Sequence, residues 1–460
     1  MRKLTLDEIC RCIRGRWLGN ASMLPVSGAS TDTRTAKAGD LFIALRGQQL
    51  DAHAFLGQAA DAGCVAAVVC RDASVPAATL QRFAGGMIAV ENTTAALADL
   101  AAWHRKQAAA AVVAVTGSNG KTTVKRMIHH ILGRRQKGTC SPKSYNNEIG
   151  VPLTLLGVSS GDDYVVCEVG TNAPGEIAHL AKMIGPDVAV ITSVGPTHLE
   201  KLGSVQKVAA EKASLLEYLV PAGLAITWAD SPELDKALKP YGRRVVRFGR
   251  SAGADLRLTG YQQRGPAQRF CLNDHIWVDL PLPGEHMACN ALAAIAVAQK
   301  FGWKQEEAAA ALADFAGTQM RLTWERCGQI TIINDAYNSN PSSLAAAVGV
   351  LAGWGPGRKV LVAGDMRELG EDSPQLHRRS GVQVAQAGVD FLIGVGPLGR
   401  YIAEGAAEGG LPTLAFDDDE QAKENIVVAL RDGDIVLIKG SRAVAMERLL
   451  EPIRAAFGAH

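Results

Sequence analysis

The stretch Val113-Ala-Val-Thr-Gly-Ser-Asn-Gly-Lys-Thr-Thr123 decides the fold of the middle of the chain. The apolar run from Ala111 to Val115 predicts a buried strand, and the residues from Val124 onward predict a helix. The glycine loop between them suits a phosphate, because loop N–H groups and the positive end of the helix dipole face it. Lys121 can reach the outer phosphates, and the Thr122 hydroxyl can ligate Mg²⁺. The stretch therefore predicts a nucleoside triphosphate site.

The composition is that of an ordinary globular protein. The chain has 460 residues, 47% hydrophobic and 20% charged, with a net charge of +2. The length suggests about three domains. The charge balance argues against nucleic acid as a partner, and the lack of a long apolar run argues against a membrane span. The nine scattered cysteines are typical of reduced core residues. Asp7 and Glu8 lie where a signal peptide would be apolar, so we expect a cytoplasmic protein.

Strands and helices alternate along the chain, which predicts the α/β class with three domains. We expect a smaller N-terminal α/β domain over 1–108, a central domain over 109–320 and a C-terminal Rossmann-like domain over 321–460. The central order predicts a P-loop-type, doubly wound and mostly parallel sheet with helices on both faces. The predicted strands are 40–45, 66–70, 112–115, 164–169, 188–192, 224–227, 359–364, 391–395 and 434–439. The predicted helices are 54–62, 98–106, 122–133, 175–184, 204–219 and 286–301.

Three polar segments of the central domain directly follow predicted strands: the glycine loop, Glu168 and the stretch from Thr192 to His198. Ligands of parallel sheets bind at the carboxyl ends of the strands, so these segments should converge. Glu168 suits Mg²⁺ coordination, although a solvated strand-end charge explains the pattern equally well. By pattern alone, His198 is more often structural, and Lys212 is an ordinary helix lysine. The glycine loop has a competing interpretation as a simple strand-to-helix turn.

The segment from Thr116 to Thr123 resembles the nucleotide-binding signature of the Mur ligase family. Nearly the whole chain follows the order of motifs expected for that family. Several segments resemble the members that attach a dipeptide rather than a single amino acid. These segments are Tyr145–Leu155, Asp335–Pro341, Gly364–Gly370 and Lys439–Arg442.

The resemblance implies roles for residues of the central and C-terminal domains. Asn290 would face the adenine, Arg321 the phosphates and Asp335 the ribose hydroxyls, although Met287 stands where the family usually has asparagine. Two Mg²⁺ ions are expected, with Lys212 carbamylated by CO₂ so that it becomes an anionic ligand. The implied ATP-binding residues are Gly117, Ser118, Asn119, Gly120, Lys121, Thr122, Thr123, Asn290, Arg321 and Asp335. The implied metal ligands are Thr122, Glu168, His198 and Lys212, and the implied catalytic residues are Lys121, His198 and Lys212.

The N-terminal domain carries segments that the family uses to bind a UDP-sugar. Turn formation explains their Asp, Thr and Gly residues without any ligand. Arg34 would meet a diphosphate, and Thr33 would meet a phosphate or the uracil. The implied UDP-substrate residues are Thr31, Asp32, Thr33, Arg34, Gly47, Asp51, His53 and Asn147.

The resemblance implies an ATP-dependent ligase, expected to be a monomer, that joins D-alanyl-D-alanine to UDP-N-acetylmuramoyl-tripeptide through an acyl phosphate. No residue stands out as the base that deprotonates the incoming amine, and His198 and the Lys212 carbamate are candidates only through the family. Two alternatives stay open. One is a ligase of the same family with another amino-acid acceptor, and the other is a regulatory or scaffolding protein that holds ATP without chemistry. The identity of the third peptide residue, meso-diaminopimelate or L-lysine, also stays open.

Overall fold

The computed structural model describes residues 4–47 and 49–458. Within these residues the strands form three large sheets and one two-stranded pair, Leu4–Thr5 with Pro25–Val26. The sheets follow one another along the chain, and helices pack between and around them. This architecture confirms the predicted α/β class. No helix in the described ranges is long and apolar enough to cross a membrane.

The first sheet has five strands, all parallel except the edge strand Arg16–Leu18. The strand Ala66–Cys70 has the predicted bounds, because it is a continuous buried apolar run. In spatial order the strands are Arg16–Leu18, Met87–Val90, Ala66–Cys70, Asp40–Ile43 and Gly28–Ser30. The helices are Leu6–Cys12, Leu56–Asp61, Ala77–Leu80 and Thr93–Gln107, with a 3-10 turn at Ala52–Phe55.

The central sheet has nine strands, and the strand before the glycine loop lies well inside it. The first seven in spatial order pair in parallel, as predicted for the central domain. The last two pair antiparallel and extend one end of the sheet. In spatial order the strands are Gly138–Cys140, Tyr164–Glu168, Ala111–Thr116, Val188–Ile191, Leu224–Trp228, Val245–Gly249, Leu256–Arg264, Ala267–Leu272 and Ile276–Leu280.

The helix Lys121–Leu132 follows the glycine loop and packs against the helix Glu285–Lys300. Val124, Ile128 and Ile131 recur at helical spacing and are fully buried, which anchors the loop above them. The other central helices are Gly150–Leu156, Glu176–Ile184, Leu199–Leu202, Val205–Ala213, Pro232–Leu238 and Gln305–Ala310, with 3-10 turns at Ser214–Tyr218 and Lys239–Tyr241.

The prediction of one helix over 204–219 was wrong in its length. The α-helix ends at Ala213, and the next residues form a 3-10 turn. Before it, Gly203 adopts a left-handed conformation with a φ of 78°, which separates the short helix Leu199–Leu202. Residues 199–218 therefore form three short elements in place of one long helix.

The C-terminal sheet has six strands, and all pair in parallel except Thr323–Cys327 at one edge. Two of the three predicted strands, Lys359–Gly364 and Phe391–Val395, have the predicted bounds. In spatial order the strands are Thr323–Cys327, Ile330–Asp335, Ile435–Lys439, Lys359–Gly364, Phe391–Val395 and Thr413–Phe416. The helices are Pro341–Ala352, Ser373–Ala385, Gly399–Glu408, Asp419–Ala429 and Leu450–Phe457, with 3-10 turns at Arg442–Val444 and Met446–Leu449.

Candidate active site

A cavity of about 1550 Å³ opens where the central strands end, and residues of the C-terminal part complete its wall. The structure therefore brings together segments that are far apart in the sequence. The predicted site residues on its wall are Ser118, Asn119, Gly120, Lys121, Thr122, Thr123, Asn147, Glu168, His198, Asn290, Arg321 and Asp335.

The glycine loop is held tightly against neighbouring chain segments. Gly117 has a φ of 152°, and a Cβ on it would collide with the Thr192 side chain. Gly120 has a φ of 84°, and a Cβ there would collide with Asn290. The backbone N–H of Asn119 donates to the Ser193 hydroxyl at 2.8 Å. The loop geometry thus requires glycine at both positions.

Lys121 begins the helix that follows the loop, and Gly120 caps that helix without a side-chain acceptor. The first N–H groups of the helix are therefore free for an anion. The Lys121 ammonium donates to the carbonyl of Gly117 at 2.7 Å, which folds the side chain back over the loop. Burial lowers the pKa of Lys121, and the Glu168 carboxylate opposes that effect. A phosphate at this position would pair with a lysine that is already desolvated.

Glu168 ends the strand that pairs with the strand before the glycine loop, and it is buried where it lines the cavity. One carboxylate oxygen accepts hydrogen bonds from the Thr122 hydroxyl and the Lys125 ammonium, each at 3.0 Å. The other oxygen accepts from the Asn146 side chain at 3.1 Å. Arg321 donates to the same Thr122 hydroxyl at 3.2 Å. This cluster places a carboxylate and a hydroxyl side by side, next to the helix N-terminus.

His198 has a left-handed backbone with a φ of 54°, which is uncommon outside glycine. Its Nδ1 lies 2.6 Å from a carboxylate oxygen of Glu368, which belongs to the C-terminal part. The nearby His198 imidazole lowers the pKa of Glu368. His198, a predicted metal ligand, thus lies on the cavity wall and contacts a carboxylate that the C-terminal part supplies.

Lys212 is buried and is not among the residues that line the cavity. Burial, followed by the nearby charge of Lys121, lowers the pKa of Lys212 well below its usual value. The neighbouring Glu211 carboxylate opposes this lowering of the Lys212 pKa but does not reverse it. A neutral amine is the form that reacts with CO₂, so this environment fits the predicted carbamate.

The C-terminal part contributes two of the predicted nucleotide residues. Arg321 stacks on the Tyr337 ring, with 4.1 Å between the guanidinium carbon and the ring centre. Asp335 accepts a hydrogen bond from Lys439 at 2.5 Å and another from the Leu322 N–H at 3.2 Å.

Asn290 lies on the helix Glu285–Lys300 and is buried beside Gly120. Its amide donates weakly to the Met287 sulfur at 3.7 Å. Met287 thus gives the Asn290 amide a hydrogen-bond acceptor, even though the resemblance leads one to expect asparagine at position 287. An adenine ring bound past Gly120 would meet this amide.

Most of the predicted UDP-substrate residues do not line this cavity. Asp32 pairs with Arg34 at 2.6 Å, the Thr33 hydroxyl donates to Gln58 at 3.2 Å, and Thr31 directly follows the strand Gly28–Ser30. The Gly47 N–H donates to Leu50, and Asp51 pairs with His53 at 2.5 Å. Asn147 is the exception among the predicted residues, because it lies on the cavity wall.

The donor set fits Mg²⁺, which prefers hard oxygen ligands and usually keeps one or two carboxylates plus phosphates. Thr122 and Glu168 supply a hydroxyl and a carboxylate in contact with each other. No group of three or more His, Cys, Asp or Glu side chains is gathered for a metal within residues 4–47 and 49–458. The remaining ligands would come from the nucleotide phosphates, as is common in phosphoryl-transfer sites.

Comparisons with known proteins agree with this geometry. The family model of the Mur ligase middle domain matches residues 115–298, and the family model of the Mur ligase, glutamate ligase domain matches residues 320–442. The UDP-N-acetylmuramoyl-tripeptide–D-alanyl-D-alanine ligase of Bacillus subtilis (strain 168) is 34% identical over 98% of this chain and 99% of its own length. The chain belongs to the Mur ligase family.

Other relatives of this Mur ligase carry the same name. The enzyme of Escherichia coli (strain K12) is 34% identical and covers 99% of each chain. Among solved structures, a crystal structure of MurF from Acinetobacter baumannii superposes with a TM-score of 0.89 at 31% identity, covering 99% of each chain. The structure of MurF ligase from Thermotoga maritima in complex with ADP has a TM-score of 0.82 at 27% identity and covers 94% of this chain and 98% of that one.

Sequence reasoning missed several residues at the site of this Mur ligase. Lys125 was part of a predicted helix, but its partner Glu168 lies 43 residues away. The four-residue step from Lys121 was the available signal, because it places both lysines on one helix face. Asn340 was also missed, and its amide donates to the Asn119 side chain at 2.7 Å. Nothing in the local sequence indicates that contact.

His286 on the cavity wall makes stability depend on pH. Burial lowers its pKa from 6.5 to about 4, while an unfolded chain keeps the ordinary value. Below pH 6.5, His286 is protonated in the unfolded chain but stays neutral in the folded protein until the pH approaches 4. The free energy of unfolding therefore falls as the pH drops from 6.5 toward 4. Because the ring lines an open cavity, we expect an effect on the order of 1 kcal/mol. In thermal melts, His286→Gln should lose less stability than the parent between pH 7.5 and pH 5; equal losses would contradict this.

Proposed function

We propose that this Mur ligase joins D-alanyl-D-alanine to UDP-N-acetylmuramoyl-tripeptide and yields UDP-N-acetylmuramoyl-pentapeptide, ADP and phosphate. The reaction belongs to cytoplasmic peptidoglycan precursor synthesis. The main support is a single cavity in which a triphosphate loop, a buried carboxylate and a cationic C-terminal wall meet. Relatives with this named activity match the chain over nearly its full length.

The chemistry balances as two steps. An oxygen of the tripeptide's terminal carboxylate attacks the γ-phosphorus of ATP, the bond to the bridging oxygen breaks, and ADP leaves. The free amine of D-alanyl-D-alanine then attacks the acyl carbon and loses a proton, and phosphate departs with the carboxylate oxygen. Holding the acyl phosphate beside an oriented amine limits hydrolysis and removes much of the entropic barrier.

The residues of the cavity have distinct parts in this proposal. Lys121 and Arg321 stabilise negative charge on the phosphates as the phosphoryl group moves. Asn290 contacts the adenine and Asp335 the ribose. Two Mg²⁺ ions, when bound, neutralise phosphate charge. Thr122, Glu168, His198 and carbamylated Lys212 are the proposed ligands.

The N-terminal part, over 1–108, is proposed to bind the UDP moiety. The paired Asp32 and Arg34 are exposed, so the guanidinium is accessible to a diphosphate. We propose that the 109–320 domain carries the ATP site, that the 321–460 domain binds the dipeptide, and that the protein acts as a monomer. Residues 1–3 and 48 of the 1–108 domain and the last two residues of the 321–460 domain lie outside the described residues.

A coupled phosphate-release assay tests the proposed function. We expect phosphate release from ATP only when UDP-N-acetylmuramoyl-tripeptide and D-alanyl-D-alanine are both present, since the amine completes the turnover. Single amino acids in place of the dipeptide serve as the control. Faster release with a single amino acid would identify another acceptor, and release without either substrate would contradict the proposal. Running the assay with L-lysine and meso-diaminopimelate tripeptides also identifies the preferred third residue.

A further inference from the structure

A buried ion pair lies beside Thr122, in the first turn of the helix that follows the glycine loop. Lys125 and Glu168 have side-chain exposures of 1% each, and their charged atoms are 3.0 Å apart. Removing two charges from water is costly, so a buried pair is weak evidence for stability. The contacts that the pair makes with neighbouring segments are therefore more informative than its contribution to stability.

Lys125 links two parts of the site. Besides Glu168, its ammonium donates to the backbone carbonyl of Lys143. Lys143 has a left-handed backbone with a φ of 45°, a conformation that costs energy for a residue with a Cβ. The contact with Lys125 helps to hold this turn, from which the chain enters the 143–148 loop.

The 143–148 loop is fastened to the same carboxylate a second time. The Asn146 side chain donates to the other oxygen of Glu168 at 3.1 Å. The Asn146 carbonyl accepts the N–H of Gly170, two residues beyond Glu168, at 2.8 Å. Glu168 is therefore a shared anchor: one oxygen faces Thr122 and Lys125, and the other faces the loop.

The 143–148 loop also forms part of the cavity wall. Ser144, Asn146, Asn147 and Glu148 all line the cavity, and Ser144 accepts a hydrogen bond from the Tyr337 hydroxyl at 2.6 Å. The 143–148 loop and the nucleotide loop are therefore parts of the wall of one cavity.

We propose that Lys125 is a positioning residue that holds the 143–148 loop in the correct position relative to the nucleotide loop. The UDP-tripeptide is then held correctly for reaction with ATP. Lys125 does this through Glu168 and the Lys143 carbonyl, because its side chain is buried away from the cavity surface. This role rests on the proposed function and adds a residue to it.

The test compares Lys125→Met with Arg126→Met. Methionine keeps most of the lysine volume without the charge, and Arg126 is an exposed neighbour on the same helix. Calorimetry measures the Kd of each variant for UDP-N-acetylmuramoyl-tripeptide and, separately, for ADP without Mg²⁺. We expect the tripeptide Kd of Lys125→Met to rise about tenfold or more, and its ADP Kd to change by less than about threefold. Arg126→Met should match the parent for both ligands.

Asn146→Ala provides a second route if Lys125→Met does not fold. It removes the other attachment of the loop and leaves the ion pair intact, so the same selective loss of tripeptide affinity is expected. Where both variants fold, the double variant should lose less than the sum of the single losses, because both act through one carboxylate. Equal losses for both ligands, unchanged affinities or strict additivity would overturn the role of Lys125.

The parent protein separates failure of this role from failure of the proposed function. If the parent binds no UDP-tripeptide, the proposed function fails and the role of Lys125 fails with it. If the parent binds it and the variants show no selective loss, only the role of Lys125 is overturned.

Discussion

Lys121→Ala is expected to lower kcat by about 100-fold or more, the usual effect of removing one strong electrostatic stabiliser from a transition state. Burial lowers the pKa of the Lys121 ammonium, which already lies over the glycine loop, so alanine removes a cation that is proposed to stabilise the transferring phosphoryl group. Steady-state kinetics with all three substrates at saturation measure the effect.

The control for Lys121 is Lys182→Ala, which removes an exposed lysine from the helix Glu176–Ile184. That variant should retain the activity and melting temperature of the parent. Near-normal kcat in a folded Lys121→Ala protein would contradict the role assigned to Lys121. Arginine at position 121 should rescue little, since the longer guanidinium does not fit the turn over Gly117.

Lys212→Ala is expected to lower activity by about 100-fold, since it removes both a proposed ligand and a compensating charge. An unmodified ammonium beside Lys121 is unfavourable, whereas a carbamate would turn that repulsion into attraction. Alanine leaves space where the side chain lay, so added formate or acetate should restore part of the activity. Kinetics with and without these small carboxylates check the prediction.

Lys207→Ala is the matched control, because Lys207 is exposed on the same helix, Val205–Ala213. It should keep full activity and show no response to formate. The carbamate itself has a separate test in a crystal of the ATP–Mg²⁺ complex. Clear density for an unmodified ammonium at Lys212 would remove the carbamate from the mechanism.

The fold was predictable where one physical signal dominated. Strands such as Ala66–Cys70 and Phe391–Val395 are continuous apolar runs, because parallel strands are covered on both faces. The antiparallel strands between 256 and 280 were missed. Gly260 interrupts the alternation of the first, where the pairing register shifts. Exposed residues such as Gln262 and Arg269 weaken the apolar signal in the first two.

For the site, too, some features could be predicted from the sequence and others could not. The sequence predicted that Glu168 faces the ligand edge of a parallel sheet, although its pattern alone fitted a solvated strand-end charge equally well, and the structure places it on the cavity wall. The contact between His198 and Glu368 could not, since it depends on how the C-terminal part packs against the central sheet. The same holds for the pairing of Lys439 with Asp335. Tertiary packing creates these contacts, and no local pattern encodes them.

The central claim is that the peptide carboxylate becomes an acyl phosphate, and oxygen transfer tests it most directly. The tripeptide is labelled with ¹⁸O in its terminal carboxylate, turned over with ATP and D-alanyl-D-alanine, and the released phosphate is analysed by mass spectrometry. We predict that each phosphate carries one ¹⁸O atom and that the new amide retains the other. Phosphate without ¹⁸O, with both labels left in the peptide or lost to water, would contradict the account.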